Sequence, residues 1–116
     1  MPRAPSSPMD PKELKRRLGA MHASYRVKAP AKIAEIDALW LRVKAASPAD
    51  AVRNELLLAA HTLVGSAPTL GCEALGVAAG ELELALRKAY SRDGPMSAEE
   101  VAAIGRLVAN LGQSLG

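Results

Sequence analysis

Few side chains in this chain can do chemistry: two histidines, His22 and His61, and one cysteine, Cys72. A single cysteine excludes an internal disulfide and a cysteine-rich metal site, and Cys72 reads as a buried structural thiol. No H-E-x-x-H, no G-x-S-x-G and no glycine-rich phosphate loop occurs, so neither a hydrolase nor a kinase has support. His22 stands without a motif and reads as a surface or partly packed residue. His61 differs. It opens the run His61-Thr62-Leu63-Val64-Gly65-Ser66-Ala67-Pro68-Thr69-Leu70-Gly71. Leu56, Leu63 and Ala67 continue an apolar stripe that His61 does not join. Steps of three and four from His61 reach Leu57, Val64 and Gly65, which share its face. The imidazole is therefore expected to point away from the core, and near neutral pH an exposed imidazole is a nucleophile. Glycine inside a helix costs about 1 kcal/mol relative to alanine. Gly65 followed by Ser66 makes sense where something must come close to the backbone beside His61, such as the active site of a partner protein.

The elements that position this stretch are helical. Residues 1–9, with three prolines, read as a flexible tail. Asp10 as cap, Pro11 at the first helical position and Glu13 three residues after the cap predict a first helix to about Val27. Leu14, Leu18, Met21 and Tyr25 form its apolar stripe. Ala29-Pro30 opens a second helix with Ile33, Ile36, Leu39 or Trp40, and Val43 inside. Ser47 and Pro48, supported by Asp50, start a third, whose stripe is Val52, Leu56, Ala59 or Ala60, Leu63 and Ala67. Pro68 is expected to end or kink it, and Gly71 to end it at the latest. A fourth helix runs from about Cys72 to Tyr90 on Leu75, Ala78 or Ala79, Leu82 and Leu86. Residues 91–96 turn, and Ser97 with Glu100 forms a capping box for the last helix, with Val101, Ile104, Leu107, Val108 and Leu111 inside. Short connections make neighbouring helices antiparallel. The expected fold is all-α: an antiparallel up-and-down four-helix bundle, with the additional N-terminal helix laid across one end, in one domain over residues 10–116.

Composition agrees. The 116 residues suit one domain. Hydrophobic residues make up 49% of the chain and aromatic ones 3%, with no Phe, which favours a folded, helical protein over sheets. Trp40 reads as a core or bundle-edge residue. The net charge is a mild +3, from 15 basic and 12 acidic residues. The densest basic group, Lys12, Lys15, Arg16 and Arg17, reads as a solvated helix face, because no base-reading motif accompanies it. A nucleic-acid binder would show salt-sensitive DNA binding. The N-terminus has no apolar signal core, and no apolar run is long enough to span a membrane. The expectation is a cytoplasmic protein with neither nucleic-acid nor membrane partners.

The run from His61 to Gly71 resembles the signature of histidine phosphotransfer (HPt) domains, H-x-L-K-G-S-A followed by a glycine. His61, Leu63, Gly65, Ser66, Ala67 and Gly71 match it. Leu75, Ala79 and Leu82-Glu83 are similar to that family's next helix. Tyr25, Pro30, Ile33 and Ile36 match its more loosely patterned first two helices, so the resemblance covers about residues 10 to 115. It implies that His61 accepts a phosphoryl group on one imidazole nitrogen. The group would pass between a sensor kinase, hybrid kinases included, and aspartates of response-regulator receiver domains. It also implies a carrier without kinase activity and with no cofactor of its own, the receiver supplying Mg²⁺ and most of the electrostatic stabilisation. Gly65 would give the partner access, and Leu57 and Val64 an apolar docking surface.

One position departs from the pattern. Family members commonly carry Lys three residues after the histidine, where this chain has Val64. Arg87 could supply the cation from the next helix, or be an ordinary surface residue. Glu83 could orient the imidazole through a hydrogen bond, or be an exposed charge or a partner of Arg87. Thr62 and Ser66 could accept hydrogen bonds at the third helix, though Ser66 reads rather as permitting close packing. The competing reading is a degenerate HPt-like module that docks on a kinase or receiver and regulates it without carrying phosphate.

Overall fold

The computed structural model describes residues 10–45 and 50–115. They form α1 (Pro11–Val43), α2 (Asp50–Thr69), α3 (Glu73–Tyr90) and α4 (Ala98–Gln113), with no strand among the described residues. The N-terminal tail and the Ser47-Pro48 cap lie outside them. Asp10 starts α1 by accepting the Lys12 amide at 2.8 Å. Ser97 and Glu100 form the reciprocal capping box of α4.

The helices meet in a closed ring: α1 on α2, α2 on α3, α3 on α4 and α4 on α1. The diagonal pairs make no close backbone approach among the described residues. The core fills the centre. Ile36, Leu56, Leu63, Leu75, Leu82, Leu86, Ile104 and Leu111 are its largest fully buried side chains. Of the alternatives left open by periodicity, Ala60 is buried on α2, while Leu39 and Trp40, and Ala78 and Ala79, are buried together.

The separate N-terminal helix does not form. Residues 11–43 are one helix of 33 residues with Pro30 inside it. An interior proline removes a hydrogen bond and costs about 3 kcal/mol. Here its ring faces solvent, and the buried residues Tyr25, Ala29, Ile33 and Ile36 fall on one stripe through it. Burying a large apolar side chain contributes about 1.5–3 kcal/mol. Several of them on one unbroken face outweigh the proline.

Pro68 likewise fails to stop α2, which passes it by one residue. The stop is at Gly71, whose φ of 88° is left-handed. The Cys72 amide donates to the Ala67 carbonyl at 2.7 Å, and the Gly71 amide to that of Pro68 at 3.2 Å. This paired pattern is the Schellman termination, for which glycine is the residue without steric penalty. The Pro68 ring then lies against α3 at Gly76, where an added Cβ would come within 2.5 Å of it. That close approach sets α2 and α3 side by side.

α1 outruns its neighbours. At 1.5 Å per residue it is about 50 Å long, against about 30 Å for α2, and the molecule measures 65 × 34 × 19 Å. The bundle ends near Tyr25, whose hydroxyl is 3.1 Å from Ser66 Oγ, and His22, which packs on Gly71. Above that level Leu14, Leu18 and Met21 are 46%, 42% and 52% exposed, so three of the four residues on the first stripe have no core to enter.

Candidate functional site

α2 carries its apolar stripe inward through Leu56, Ala60, Leu63 and Ala67. The side chain of His61 consequently faces outward and is 61% exposed, beside the face of α3. Its Nδ1 lies 2.8 Å from Glu83 Oε2 on α3. The same Oε2 accepts from Arg87 Nε at 3.1 Å and Nη2 at 2.8 Å. Arg87 sits one turn beyond Glu83 on the same helix face, so the guanidinium reaches back along α3. His61, Glu83 and Arg87 thus share one hydrogen-bonded cluster.

The Arg87 hydrogen bonds hold the Glu83 carboxyl below the usual carboxylate range, against partial burial that pushes it up; the bond to His61 adds to the lowering. A carboxylate can only accept, so the hydrogen between the two groups belongs to His61 Nδ1. In the neutral ring this leaves the lone pair on Nε2, the nitrogen without a hydrogen-bond partner among the described residues. The arrangement leaves the lone pair on one ring nitrogen and places a negative charge behind the other.

Leu57 and Val64 are half-buried on the His61 face. Val64 lies over Gly80 of α3, where its Cγ2 would sit 4.0 Å from an added Cβ. Gly65 is exposed, and an added Cβ there would meet nothing within 4 Å. Among the described residues no packing requires the missing side chain at Gly65. No cation stands on α2 at the position of Val64.

Two residues of the run stand apart from the imidazole. Ser66 turns toward α1, where its hydroxyl meets Tyr25, and so ties α1 to α2. Thr62 donates back to the Leu58 carbonyl at 2.9 Å. His22 is on α1 at the bundle end. Cys72 is half-buried at the start of α3 and makes no capping bond with its side chain.

Sequence reasoning passed over two apolar residues of this surface. Leu58, one turn before His61, is 64% exposed, and Leu84, next to Glu83, is 71% exposed. Both are leucines off the core stripe of their helix, which is the sequence signal that marks them. With the half-buried Leu57 and Val64 they put apolar side chains on the outer faces of α2 and α3 on either side of the cluster. A second polar cluster, Arg53 stacked 5.5 Å over the Tyr90 ring, lies elsewhere; burial pushes the Tyr90 hydroxyl up to about 12, Arg53 opposing. No group of three or more His, Cys, Asp or Glu side chains could hold a metal ion among the described residues. Nor is any described helix long and apolar enough to cross a membrane.

Comparison with known proteins bears on the same stretch. The family model described as Hpt domain matches residues 20–114, which include His61, Glu83 and Arg87. Neither the curated proteins nor the solved structures gave a match. A family match over most of the chain, on a four-helix bundle with an exposed histidine, places it: the chain belongs to the Hpt-domain family, the histidine phosphotransfer modules of two-component phosphorelays.

Proposed function

We propose that this protein is a cytoplasmic phosphoryl carrier, with His61 as phosphoacceptor, relaying the group between a sensor kinase and response-regulator receiver domains. The observation that supports it most is the His61–Glu83–Arg87 cluster, which fixes one ring nitrogen and leaves the other open. In transfer from a receiver, the Nε2 lone pair attacks phosphorus and the N–P bond forms. The O–P bond to the receiver aspartate breaks, and its electron pair leaves with the carboxylate. The ring becomes cationic as this happens. Glu83 faces that charge through Nδ1–H, so it stabilises the ring more in the transition state than before attack. Return transfer reverses these steps. Mg²⁺ and most of the charge on the moving group are the receiver's concern. Gly65 leaves room for the receiver, and Leu57, Leu58, Val64 and Leu84 give it apolar ground to dock on.

In this reading Arg87 acts first on Glu83, holding its carboxylate through two hydrogen bonds, and is also the cation nearest in kind to the lysine that Val64 replaces. Glu83 and Arg87 are positioning residues, and His61 is the reacting one. The chain carries the group without activating ATP, so it is not a kinase.

The test uses the intact protein and a phosphorylated receiver domain. An alkali-stable, acid-labile label is expected on the chain, absent in His61→Gln. Glu83→Gln is expected to keep the label and slow its arrival by about 10²-fold. Rates unchanged in Arg87→Ala would remove Arg87 from the site. One observation favours a second reading: the absence of a cation at Val64. A protein that docks on kinases and receivers of its own organism but takes no label from any of them is a regulatory module on the same fold.

A further inference from the structure

The part of α1 beyond the bundle is a surface without a use in phosphotransfer. It projects for about ten residues, roughly 15 Å. Its stripe Leu14, Leu18 and Met21 is the continuation of the face that packs on α2 lower down, as the Tyr25–Ser66 contact shows. Past Met21 the stripe runs into a groove of about 400 Å³ between α1 and α2, lined by Met21, Tyr25, Lys28, Lys32, Thr62 and Leu70. The family match begins at residue 20, so Leu14 and Leu18 lie outside it.

Charge is divided unevenly along the chain. Residues 10–32 carry seven Lys and Arg against Asp10 and Glu13. Residues 33–116 carry seven against ten acidic residues. The projecting arm and its groove are therefore strongly cationic on a body that is net acidic. By helical geometry Lys28 and Arg17, the latter paired with Glu13 at 3.0 Å, border the stripe on one side and Lys15 on the other.

We propose that the arm and groove are a docking surface for an acidic amphipathic helix of a partner protein. The leucines and Met21 would take its apolar residues at i, i+3 or i+4 and i+7, and the bordering cations its carboxylates. A second copy of this chain fits poorly, because pairing two arms sets cation against cation. An anionic bilayer also fits poorly. Lys12 and Arg16 point to the side opposite the stripe, and the stripe faces the notch above the α2–α3 turn, which a flat surface does not enter. The groove ends at Thr62, next to His61, so a partner held on the arm stays beside the phosphoacceptor face. The docking itself does not depend on His61 carrying phosphate.

The experiment follows amide shifts of the isotopically labelled full chain as a stapled peptide of about five turns is added. The peptide has Leu at every third and fourth position and Glu elsewhere. A stapled peptide of the same composition in scrambled order is the control. Saturable binding is expected, with shifts at residues 14–28 and 70 and weakening as salt rises. Leu14→Ser with Leu18→Ser is expected to weaken it at least ~10-fold, and the scrambled peptide to bind at least ~10-fold more weakly, each corresponding to ~1.4 kcal/mol. Both substituted side chains are exposed, so the fold is kept, and His61→Gln is expected to bind as the parent does. Four outcomes overturn the proposal: equal binding of the scrambled peptide, or none of either; shifts confined to the His61 face; a dimer that the double substitution abolishes; or binding to phosphatidylglycerol vesicles without binding to the peptide.

Discussion

Residues 14–21 and residues 25–43 belong to one helix, keep one periodicity and turn their apolar side chains to one side. Yet Leu14, Leu18 and Met21 are exposed, while Tyr25, Ala29, Ile33, Ile36 and Val43 are buried. The local pattern is the same, and the difference lies in the neighbours. α2 and α4 are long enough to cover only the second stretch. Periodicity says which side of a helix wants burial, and the length of the adjacent elements decides whether burial happens. The same comparison explains Pro30. It stands on the solvent side near the start of the covered stretch, and the covered stretch carries the helix through it.

Matched substitutions in the two stretches test this most strongly. Ile36→Ala is expected to cost about 2–4 kcal/mol in urea unfolding, by lost burial and the cavity left behind. Leu18→Ala is expected to change stability by less than about 0.5 kcal/mol, as for an exposed site. A cost above about 1 kcal/mol at Leu18 would mean that the arm is covered in solution. If that cost grew with protein concentration, the cover would be a second copy.

The junction gives the next largest effect. Pro30→Ala restores a backbone donor in the middle of α1, worth up to about 3 kcal/mol. The unfolded chain gains freedom, which takes back about 0.4–1 kcal/mol. A net stabilisation of about 1–2 kcal/mol is expected by thermal and urea unfolding. A neutral or destabilising result would show that α1 already bends at Pro30 and that its two stretches are uncoupled.

Much of this molecule was legible residue by residue. The outward direction of His61 follows from its position off the stripe of Leu56, Leu63 and Ala67. The ends of α2 and α4 follow from Gly71 and from the Ser97–Glu100 box. The length of α1 was not legible, because a proline penalty is local while the burial that outweighs it depends on α2 and α4, which lie further along the chain. The site divides in the same way. For Glu83 the sequence leaves open a bond to His61, a pair with Arg87 or a plain exposed charge, and its Oε2 accepts from both His61 and Arg87. That outcome depends on how α2 and α3 register, which is set by the Gly71 turn and by Pro68 over Gly76. Ser66 sits in the same motif as His61 but faces α1. A motif gives spacing along the chain, and a helix then distributes its members over different faces.

The smallest effect concerns what keeps the uncovered stretch helical at all. Without burial, the arm has its Asp10 cap and the pairs that Glu13 makes with Arg16 at 2.6 Å and Arg17 at 3.0 Å. Those hydrogen bonds, Arg16's first, hold the Glu13 carboxyl below its ordinary value of 4.5. A carboxyl lowered by folding contributes its support fully above that value and loses it as pH falls through the lowered one. Amide exchange of residues 14–18, corrected for its intrinsic pH dependence, should therefore speed up as pH drops below 4.5, while the amides of buried residues in α1 hold. Glu13→Gln at neutral pH should show the faster exchange already and lose the acid step. Added salt should shift the parent in the same direction, since exposed pairs are screened. An acid step that survives in Glu13→Gln would leave the Asp10 cap and helix propensity as the supports of the arm. The two stretches of α1 would then differ in burial alone.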